Sequence, residues 1–268
     1  MRKGQFVMVG VMMMAIAVAM TSCVGSCLSN RSFKTKYISE LRNLKGFEEI
    51  EINGSPTVYY TQSDSCSVKV TGPEDYVKNI LTETNGRTLT IRNKGKIGFV
   101  NFQMGDEDEL AVYVTSPDLI GISLNGSGDF ISNHCIDTDK MEIMLRGSGD
   151  IDVKDLICDR CEVELIGSGD IELGRLDTKA LSASLVGSGD IDLDLWNTSN
   201  TRLALRGSGD IDATFHENCD AVECELRGSG DITLKGEVKR LSKDKSGSGD
   251  VSDEDLTIQL SKETKIMQ

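Results

Sequence analysis

Residues 161–200 read CEVELIGSGDIELGRLDTKA and then LSASLVGSGDIDLDLWNTSN, two consecutive units that align without gaps. Both contain the tetrapeptide Gly-Ser-Gly-Asp, which occurs seven times in the chain. The copies are separated by 21, 20, 20, 20, 21 and 19 residues, and they begin at Gly126, Gly147, Gly167, Gly187, Gly207, Gly228 and Gly247. A period near 20 over seven units is typical of a stacked repeat architecture, not of a globular catalytic domain.

Apolar residues alternate with polar ones on both sides of each motif. In the unit of residues 161–180, Val163 and Leu165 precede the motif, Ile171 and Leu173 follow it, and Leu176 marks a third apolar segment. Alternation with period two indicates strands with one buried face. The pattern predicts a three-sided parallel β-solenoid, in which seven coils spaced about 4.8 Å apart make a rod of roughly 34 Å.

The motif itself reads as the corner of a coil. The parity of the flanking residues places both glycines on the inner side of a bend that has no room for a side chain. Glycine also permits the positive φ that a sharp bend needs. The same parity places Ser168 and Asp170 on the outside.

A second fold is compatible with the motif, namely a hairpin turn in an antiparallel meander or barrel. The shared phase of all seven units favours stacking instead. Leucine-rich repeats lack support because their leucine and asparagine spacing is absent, and propeller blades have about twice this period.

The chain opens MRKGQFVMVGVMMMAIAVAMTSC, with two basic residues, an apolar run, small residues and Cys23. This pattern is typical of a signal peptide and is too short for a membrane span. The segment Met20-Thr21-Ser22-Cys23 resembles a bacterial lipobox, which predicts removal of residues 1–22 and lipidation of Cys23. The alternative is an ordinary secretory signal with a coincidental cysteine. Residues 23–45 read as a polar tether leading away from the membrane.

The chain is strongly acidic. Its formal net charge is −14, and removal of residues 1–22 makes it −16. A protein of this charge is not expected to bind nucleic acid or anionic lipid headgroups.

Residues 46–125 are rich in strand patterns but irregular, with a short helix predicted between Glu74 and Glu83. We expect this zone to cover one open end of the stack formed by residues 126–268, since bare terminal coils expose pairing edges. After the last motif the pattern decays, and Lys243 and Lys245 stand at inward apolar positions. The final coil is therefore predicted to be frayed or capping.

The motif aspartates are the candidate ligand-binding residues. They should form a ladder down one outer edge: Asp129, Asp150, Asp170, Asp190, Asp210, Asp231 and Asp250. Two carboxylates about 4.8 Å apart in water repel by roughly 0.9 kcal/mol, so something must offset this repulsion. The motif serines, the corner N–H groups and the arginines Arg146, Arg206 and Arg227 are candidates, and a calcium ion is a further alternative. Calcium is disfavoured because the nonapeptide frame of calcium-binding β-rolls is absent.

Cysteine chemistry is the next possibility. Cys158 and Cys161 form a CxxC, but a thioredoxin-like role lacks its βαβ context, and a zinc site lacks a second CxxC. A local bridge between these two residues stays open in an oxidising compartment. Cys219 and Cys224 lie three coils away, about 14 Å along the axis, too far to bridge them. Cys161 and Cys224 occupy apolar positions and are expected to be buried.

Catalytic and sugar-binding residues are hard to single out. Every acid of the repeat has copies, whereas a glycosidase-type site needs carboxylates in unlike environments. The sequence therefore favours a protein that is not an enzyme. Aromatic residues make up only 5% of the chain. Trp196 is expected to pack rather than to form a platform, and one of Tyr59 and Tyr60 should face outward.

The lead-in RNLKGFEEIEINGSPTVYYTQSDSCSVKVTG at residues 42–72 and the serial GSGDI coils resemble the head GIN domain family of putative autotransporter adhesins. The resemblance covers roughly residues 40–250. It implies a right-handed single-stranded β-helix in a cell-envelope protein of the Bacteroidetes type, and it carries over no functional residues.

Three functions follow as hypotheses. The first is a lipid-anchored, non-enzymatic envelope protein, expected at the outer membrane, that binds a glycan or a protein through an outer face. The second is a polysaccharide-active β-helix enzyme, and the third is a passive spacer. A broad exposed patch would favour the first, an irregular cleft with unlike carboxylates the second, and a featureless polar exterior the third. Whether the protein faces the periplasm or the cell surface is left open.

Overall fold

The computed structural model describes residues 36–95 and 110–259, which contain nineteen strands and one short helix, α1, at Glu74–Val77. The signal segment and Cys23 lie outside the described residues. The strands are β1 Tyr37–Arg42, β2 Glu49–Gly54, β3 Thr57–Gln62, β4 Ser67–Pro73, β5 Ile80–Asn85, β6 Thr88–Asn93, β7 Ala111–Ser116, β8 Gly121–Gly126, β9 Asp129–Asp137, β10 Lys140–Gly147, β11 Asp150–Gly167, β12 Ile171–Gly187, β13 Asp190–Trp196, β14 Asn200–Gly207, β15 Asp210–Phe215, β16 Ala221–Gly228, β17 Ile232–Val238, β18 Arg240–Gly247 and β19 Val251–Ile258.

Two parallel ladders run the length of the molecule. The first ladder consists of the strands that come before each corner. They are hydrogen-bonded to one another in the order β6, β2, β8, β10, β11, β12, β14, β16, β18. The second ladder consists of the strands that come after each corner. They are hydrogen-bonded to one another in the order β7, β3, β9, β11, β12, β13, β15, β17, β19. Strands β11 and β12 are long enough to enter both ladders. The fold is a β-solenoid of about seven turns with coils of about 20 residues, as predicted, and not an antiparallel meander.

The core consists of stacked apolar columns. Leu165, Leu185, Leu205 and Leu226 pair in register, and each has no exposed surface. A register slip of one residue would turn such a column toward solvent, so burial fixes the register. Each leucine side chain buried in this way contributes about 1.5–3 kcal/mol relative to an exposed one.

A three-sided coil requires three bends, and the repeat shows an irregularity at three places. The first bend is the motif. The second produces register shifts, as between Leu173 and Leu176. The third lies where two exposed residues separate two buried ones, as Asp159 and Arg160 do in β11.

The motif glycines occupy a corner, but their missing side chains would point along the stack and not into the core. A Cβ atom on Gly189 would lie 1.9 Å from the carbonyl oxygen of Gly169 in the preceding coil. Gly187 has a φ of +146°, and a Cβ there would lie 2.0 Å from the carbonyl oxygen of Gly167. The alternation of buried and exposed residues located the corner correctly. The corner requires glycine, however, because the backbone of the neighbouring coil comes too close for a Cβ atom, and not because the side chain would enter the core.

The solenoid begins earlier than the motifs do. Gly54 pairs with Gly126, so that β2 and β3 already belong to the stack within the zone predicted to be irregular. Beyond them, β5 pairs antiparallel with β6, and β4 pairs antiparallel with β7. These antiparallel strands cover the N-terminal end of the two ladders.

Two boundaries in this zone differ from the prediction. Residues 37–42 were expected in the tether, but they form β1, which pairs antiparallel with β4. The helix predicted between Glu74 and Glu83 is only α1, because Ile80 is buried and starts β5. Among the described residues, no helix is long and apolar enough to span a bilayer.

The last coil carries charge at its inward positions. Lys243 pairs in register with Cys224, and Lys245 with Leu226, but strand β18 is almost entirely exposed. The Lys243 ammonium lies 2.8 Å from Asp253, and the Lys245 ammonium lies 2.9 Å from Asp250. This arrangement matches the predicted capping coil, since inward charges disfavour further strand pairing.

We predict that Gly189→Ala will destabilise the protein by about 3 kcal/mol, because its Cβ would meet a backbone oxygen at 1.9 Å. For a protein of this size, that corresponds to a fall in Tm of about 6–12 °C, measurable by circular dichroism. Ser188→Ala, at an exposed position of the same corner, is the control and should leave the Tm unchanged. Equal Tm values for the two variants would contradict the proposed constraint.

Candidate functional site

The motif aspartates form the predicted ladder, and corner N–H groups stabilise it. The backbone N–H of Asp190 donates to Oδ1 of Asp170 over 2.9 Å. Equivalent bonds of 2.6–3.1 Å join Asp170 to Asp150, Asp210 to Asp190, Asp231 to Asp210 and Asp250 to Asp231. At the first corner, the Thr57 hydroxyl donates to Asp129 over 3.1 Å. Hydrogen bonds to a carboxylate favour its charged form, so these bonds offset the repulsion between successive coils.

The three arginines that precede motifs do not reach the ladder. Arg146 pairs with Glu164 at 3.2 Å, whereas Arg206 and Arg227 both pair with Glu225 at 3.5 and 2.7 Å. They project from the strands before the corner, on another side of the solenoid. Arginine compensation, one of the alternatives offered from the sequence, is therefore wrong.

No preformed metal site is present in the part of the chain that the structure describes. Within residues 36–95 and 110–259, no group of three or more histidine, cysteine, aspartate or glutamate side chains is arranged to hold one. Calcium binding by the aspartate ladder stays an alternative that the sequence disfavours.

Beside the ladder lies a second column of outward side chains, which we call the outer row. Its members pair in register across nine strands: Leu41, Lys69, Tyr113, Tyr59, Ile131, Asp152, Glu172, Asp192 and Asp212. At about 4.8 Å per strand, the row is roughly 38 Å long. Its first half is mostly aromatic and apolar, and its second half is entirely acidic.

The aromatic half is built by stacking. The rings of Tyr59 and Tyr113 are 5.3 Å apart between centroids and inclined by 18°. The Lys69 ammonium lies 4.7 Å from the centre of the Tyr113 ring, close enough for a cation–π interaction. Tyr113 is 42% exposed, so this half of the row presents an aromatic surface to solvent.

Tyr60 behaves differently from its neighbour, as the alternation predicted. It is buried, and its hydroxyl lies 3.0 Å from the Ser116 hydroxyl. Burial raises the pKa of Tyr60 to about 12. Tyr59 is thus the outward member of the pair.

The acidic half concentrates like charge. Desolvation raises the pKa of Asp192, and the neighbouring carboxylates of Asp212 and Glu172 in the row raise it further. At the end of the aspartate ladder the opposite holds, because the Lys245 ammonium lowers the pKa of Asp250. The acidic half of the row therefore carries charge that nearby cations do not balance around Asp192.

Trp196 packs, as the sequence favoured. Its ring stacks on His216 with centroids 4.0 Å apart, and the Arg175 guanidinium lies 5.7 Å from the ring centre. Arg175 belongs to the preceding coil and His216 to the following one, so neighbours approach both faces of the indole. Trp196 is consequently less available for stacking than Tyr113.

The repeat already places the acidic half of the outer row in one column beside the ladder, because its members recur two residues after the motif aspartates, but the sequence did not identify the aromatic half or the whole row as a site. The alternation in ELAVYV places Tyr113 on a strand, and the pair Tyr59-Tyr60 guarantees one outward ring. Nothing in the pattern says that Tyr113 lies between Lys69 and Tyr59, because the irregular zone has no repeat from which to read the register.

We predict that Asp192→Asn will stabilise the protein at neutral pH. A raised pKa means that the folded protein holds this proton more tightly than the unfolded chain does. Stability is then lost as the pH rises from below the ordinary value of 3.8 through the raised pKa. The variant should raise the Tm by about 1–3 °C near pH 7, and the gain should vanish near pH 3. Asp64→Asn, at an exposed turn away from the row, should show no such gain; a gain that persists at low pH would contradict the explanation.

Comparison with known proteins agrees with this architecture. The family model described as "Putative auto-transporter adhesin, head GIN domain" matches residues 46–222. A putative adhesin of Bacteroides fragilis NCTC 9343 is 27% identical, with a TM-score of 0.73, over 80% of this chain and 95% of its own. No match was found among curated proteins.

Two similar structures come from Parabacteroides distasonis ATCC 8503. One is described as a putative lipid binding protein, with 24% identity and a TM-score of 0.61 over 82% of this chain and 98% of its own. The other is described as a putative adhesin, with 21% identity and a TM-score of 0.64 over 81% and 98%. At these identities they support the fold alone. None of the three neighbours is described as an enzyme. Because the family model spans residues 46–222, well over half of the chain, this protein belongs to the family described as "Putative auto-transporter adhesin, head GIN domain".

Proposed function

We propose that this protein is a non-enzymatic binding module of the cell envelope that engages a glycan or a protein partner through its outer row. The observation that carries the proposal is the continuity of the row, in which the exposed Tyr113 and the half-buried Tyr59 stack and are followed, after Ile131, by a column of carboxylates. The description of the family as adhesins supports a binding role at the cell envelope.

The aromatic half supplies the contact area. Exposed tyrosine rings bury a large surface at a low entropic cost, and they dominate the energetics of many interfaces. The stacking of Tyr59 on Tyr113 holds both rings in place before a partner arrives. A site on paired strands is also more rigid than one on a loop, which lowers the cost of binding.

The acidic half supplies selectivity. Asp152, Glu172, Asp192 and Asp212 repel anionic partners and favour neutral or cationic ones. The neutral hydroxyl groups of a glycan can donate hydrogen bonds to these carboxylates. A protein partner would need a basic or polar surface opposite them.

The anchor completes the proposal. Lipidation at Cys23 would tether the solenoid to a membrane, expected to be the outer membrane, through the segment that precedes β1. Repulsion between the acidic protein and anionic headgroups would then keep the rod away from the bilayer surface.

We predict that Tyr113→Ala will weaken binding at least about tenfold, because it removes the exposed ring of the stacked pair. Binding would be measured on an array of bacterial and host glycans, and by cross-linking to intact cells, with protein lacking residues 1–22. Tyr76→Ala, in helix α1 and off the outer row, is the matched control and should bind like the unaltered protein.

The outcomes separate the hypotheses. Equal loss in both tyrosine variants would place binding elsewhere. Shortened glycan products would favour the polysaccharide-active enzyme. Absence of binding to glycans and to cells would favour the passive spacer and overturn the proposal.

We predict that Cys23→Ala will abolish incorporation of a radioactive fatty acid and release the protein from the membrane fraction. Cys27→Ala, four residues further on, is the control and should retain both the label and the membrane association. Label retained in the Cys23 variant would contradict the anchor.

A further inference from the structure

Cys158 and Cys161 lie on either side of the third bend of a coil, within strand β11. Both residues are buried, with 6% and 0% exposure, and the two residues between them face solvent. On a straight strand, three residues would span about 10 Å, beyond the roughly 7 Å Cα separation that a disulfide tolerates. The bend removes this obstacle because it turns both side chains to the same inner corner.

The two thiols interact. A hydrogen bond between them is the main cause of a lowered pKa at Cys158 and of a raised pKa at Cys161. The Thr178 hydroxyl of the next coil lies 3.5 Å from the Cys158 sulfur and lowers that pKa further. Cys158 is thus the more acidic and the more exposed thiol, and Cys161 is its buried neighbour.

The other buried pair provides a contrast. Cys219 and Cys224 are 4% and 0% exposed, but Cys224 stacks in register on Leu203, while the Cys219 thiol points to the carbonyl oxygens of Leu195 and Glu217. Burial raises the pKa of both, to about 12 for Cys224. Burial alone therefore does not create a reactive pair in this fold.

We propose that Cys158 and Cys161 form a dithiol site that exchanges with small disulfides, with Cys158 as the attacking sulfur and Cys161 as the resolving sulfur. The Cys158 thiolate attacks one sulfur of a disulfide RSSR, which forms a mixed disulfide and releases RS⁻. The Cys161 thiol then loses its proton and attacks the Cys158 sulfur, which releases the second RS⁻. The protein gains one internal disulfide, and RSSR is reduced to two thiols, so atoms and electrons balance.

This chemistry does not depend on the outer row or on any partner bound there. The corner lies between the third segment of one coil and the strand that leads to the next motif. A bridge across it would join two residues that the bend turns to the same inner corner, on the same strand β11.

Trypsin provides a direct test, because it cuts after Lys154, Arg160 and Arg175. The full-length protein would be treated with oxidised glutathione, quenched in acid, unfolded, alkylated and digested without reductant. We expect the peptides of residues 155–160 and 161–175 to be recovered as one disulfide-linked species that separates on reduction. Cys219 and Cys224 share the peptide of residues 207–227, which should remain alkylated on both cysteines.

Two variants test the assigned roles. Cys161→Ala should hold a stable glutathione adduct on Cys158. Cys158→Ser, a replacement that resembles the threonine at the equivalent place in the next coil, should leave Cys161 unmodified. Circular dichroism would verify that each variant folds.

Separate peptides after oxidation of the unaltered protein, or oxidation of the control pair to the same extent, would overturn the proposal. An adduct on Cys161 in the Cys158→Ser variant would overturn the assignment of roles.

Discussion

The approach of one coil to the next at the motif corner is the constraint on which the rest of the structure depends. A carbonyl oxygen of the preceding coil occupies the place where a Cβ atom would stand on either motif glycine. Only glycine permits this contact, and the contact brings the backbone close enough for the N–H of each motif serine to bond the coil below, as Ser188 does with Gly167 at 2.9 Å. The corner therefore sets the close spacing of the coils, and together with burial of the apolar columns it fixes their register.

Fixed register has a consequence for the surface. Side chains at the same position of successive repeats form a column in which neighbours are about 4.8 Å apart. An acidic residue that recurs in the repeat therefore produces a column of like charges. The protein handles its acidic columns in different ways. On the strands before the corner, glutamates such as Glu225 pair with arginines. In the aspartate ladder each carboxylate accepts a backbone N–H, and in the outer row the charge of Asp192 is left largely unbalanced.

The chemically distinctive places lie where the repeat is broken. The stacked tyrosines belong to the irregular N-terminal zone, on the parallel strands β3 and β7, which precede the first motif. The interacting thiols belong to one coil only, at a corner where the neighbouring coil has a threonine. The residues that recur in all seven motifs determine how the coils stack, whereas residues that occur in only one coil can form a local binding or reactive site.

The sequence by itself determined the parallel stack, its coil length, its inward columns and its aspartate ladder. These features could be predicted because the same alternation of apolar and polar residues recurs in every unit at the same position relative to the motif. It also located Lys243 and Lys245 at inward positions of a capping coil. Only the tertiary structure decided that Tyr113 lies between Lys69 and Tyr59, that Arg146 pairs with Glu164 instead of the ladder, and that Cys158 interacts with Cys161 whereas Cys224 stacks on Leu203. The physical reason is that these contacts depend on non-repeating register, on which side of the coil a residue occupies and on the position of a bend, none of which alternation alone can specify.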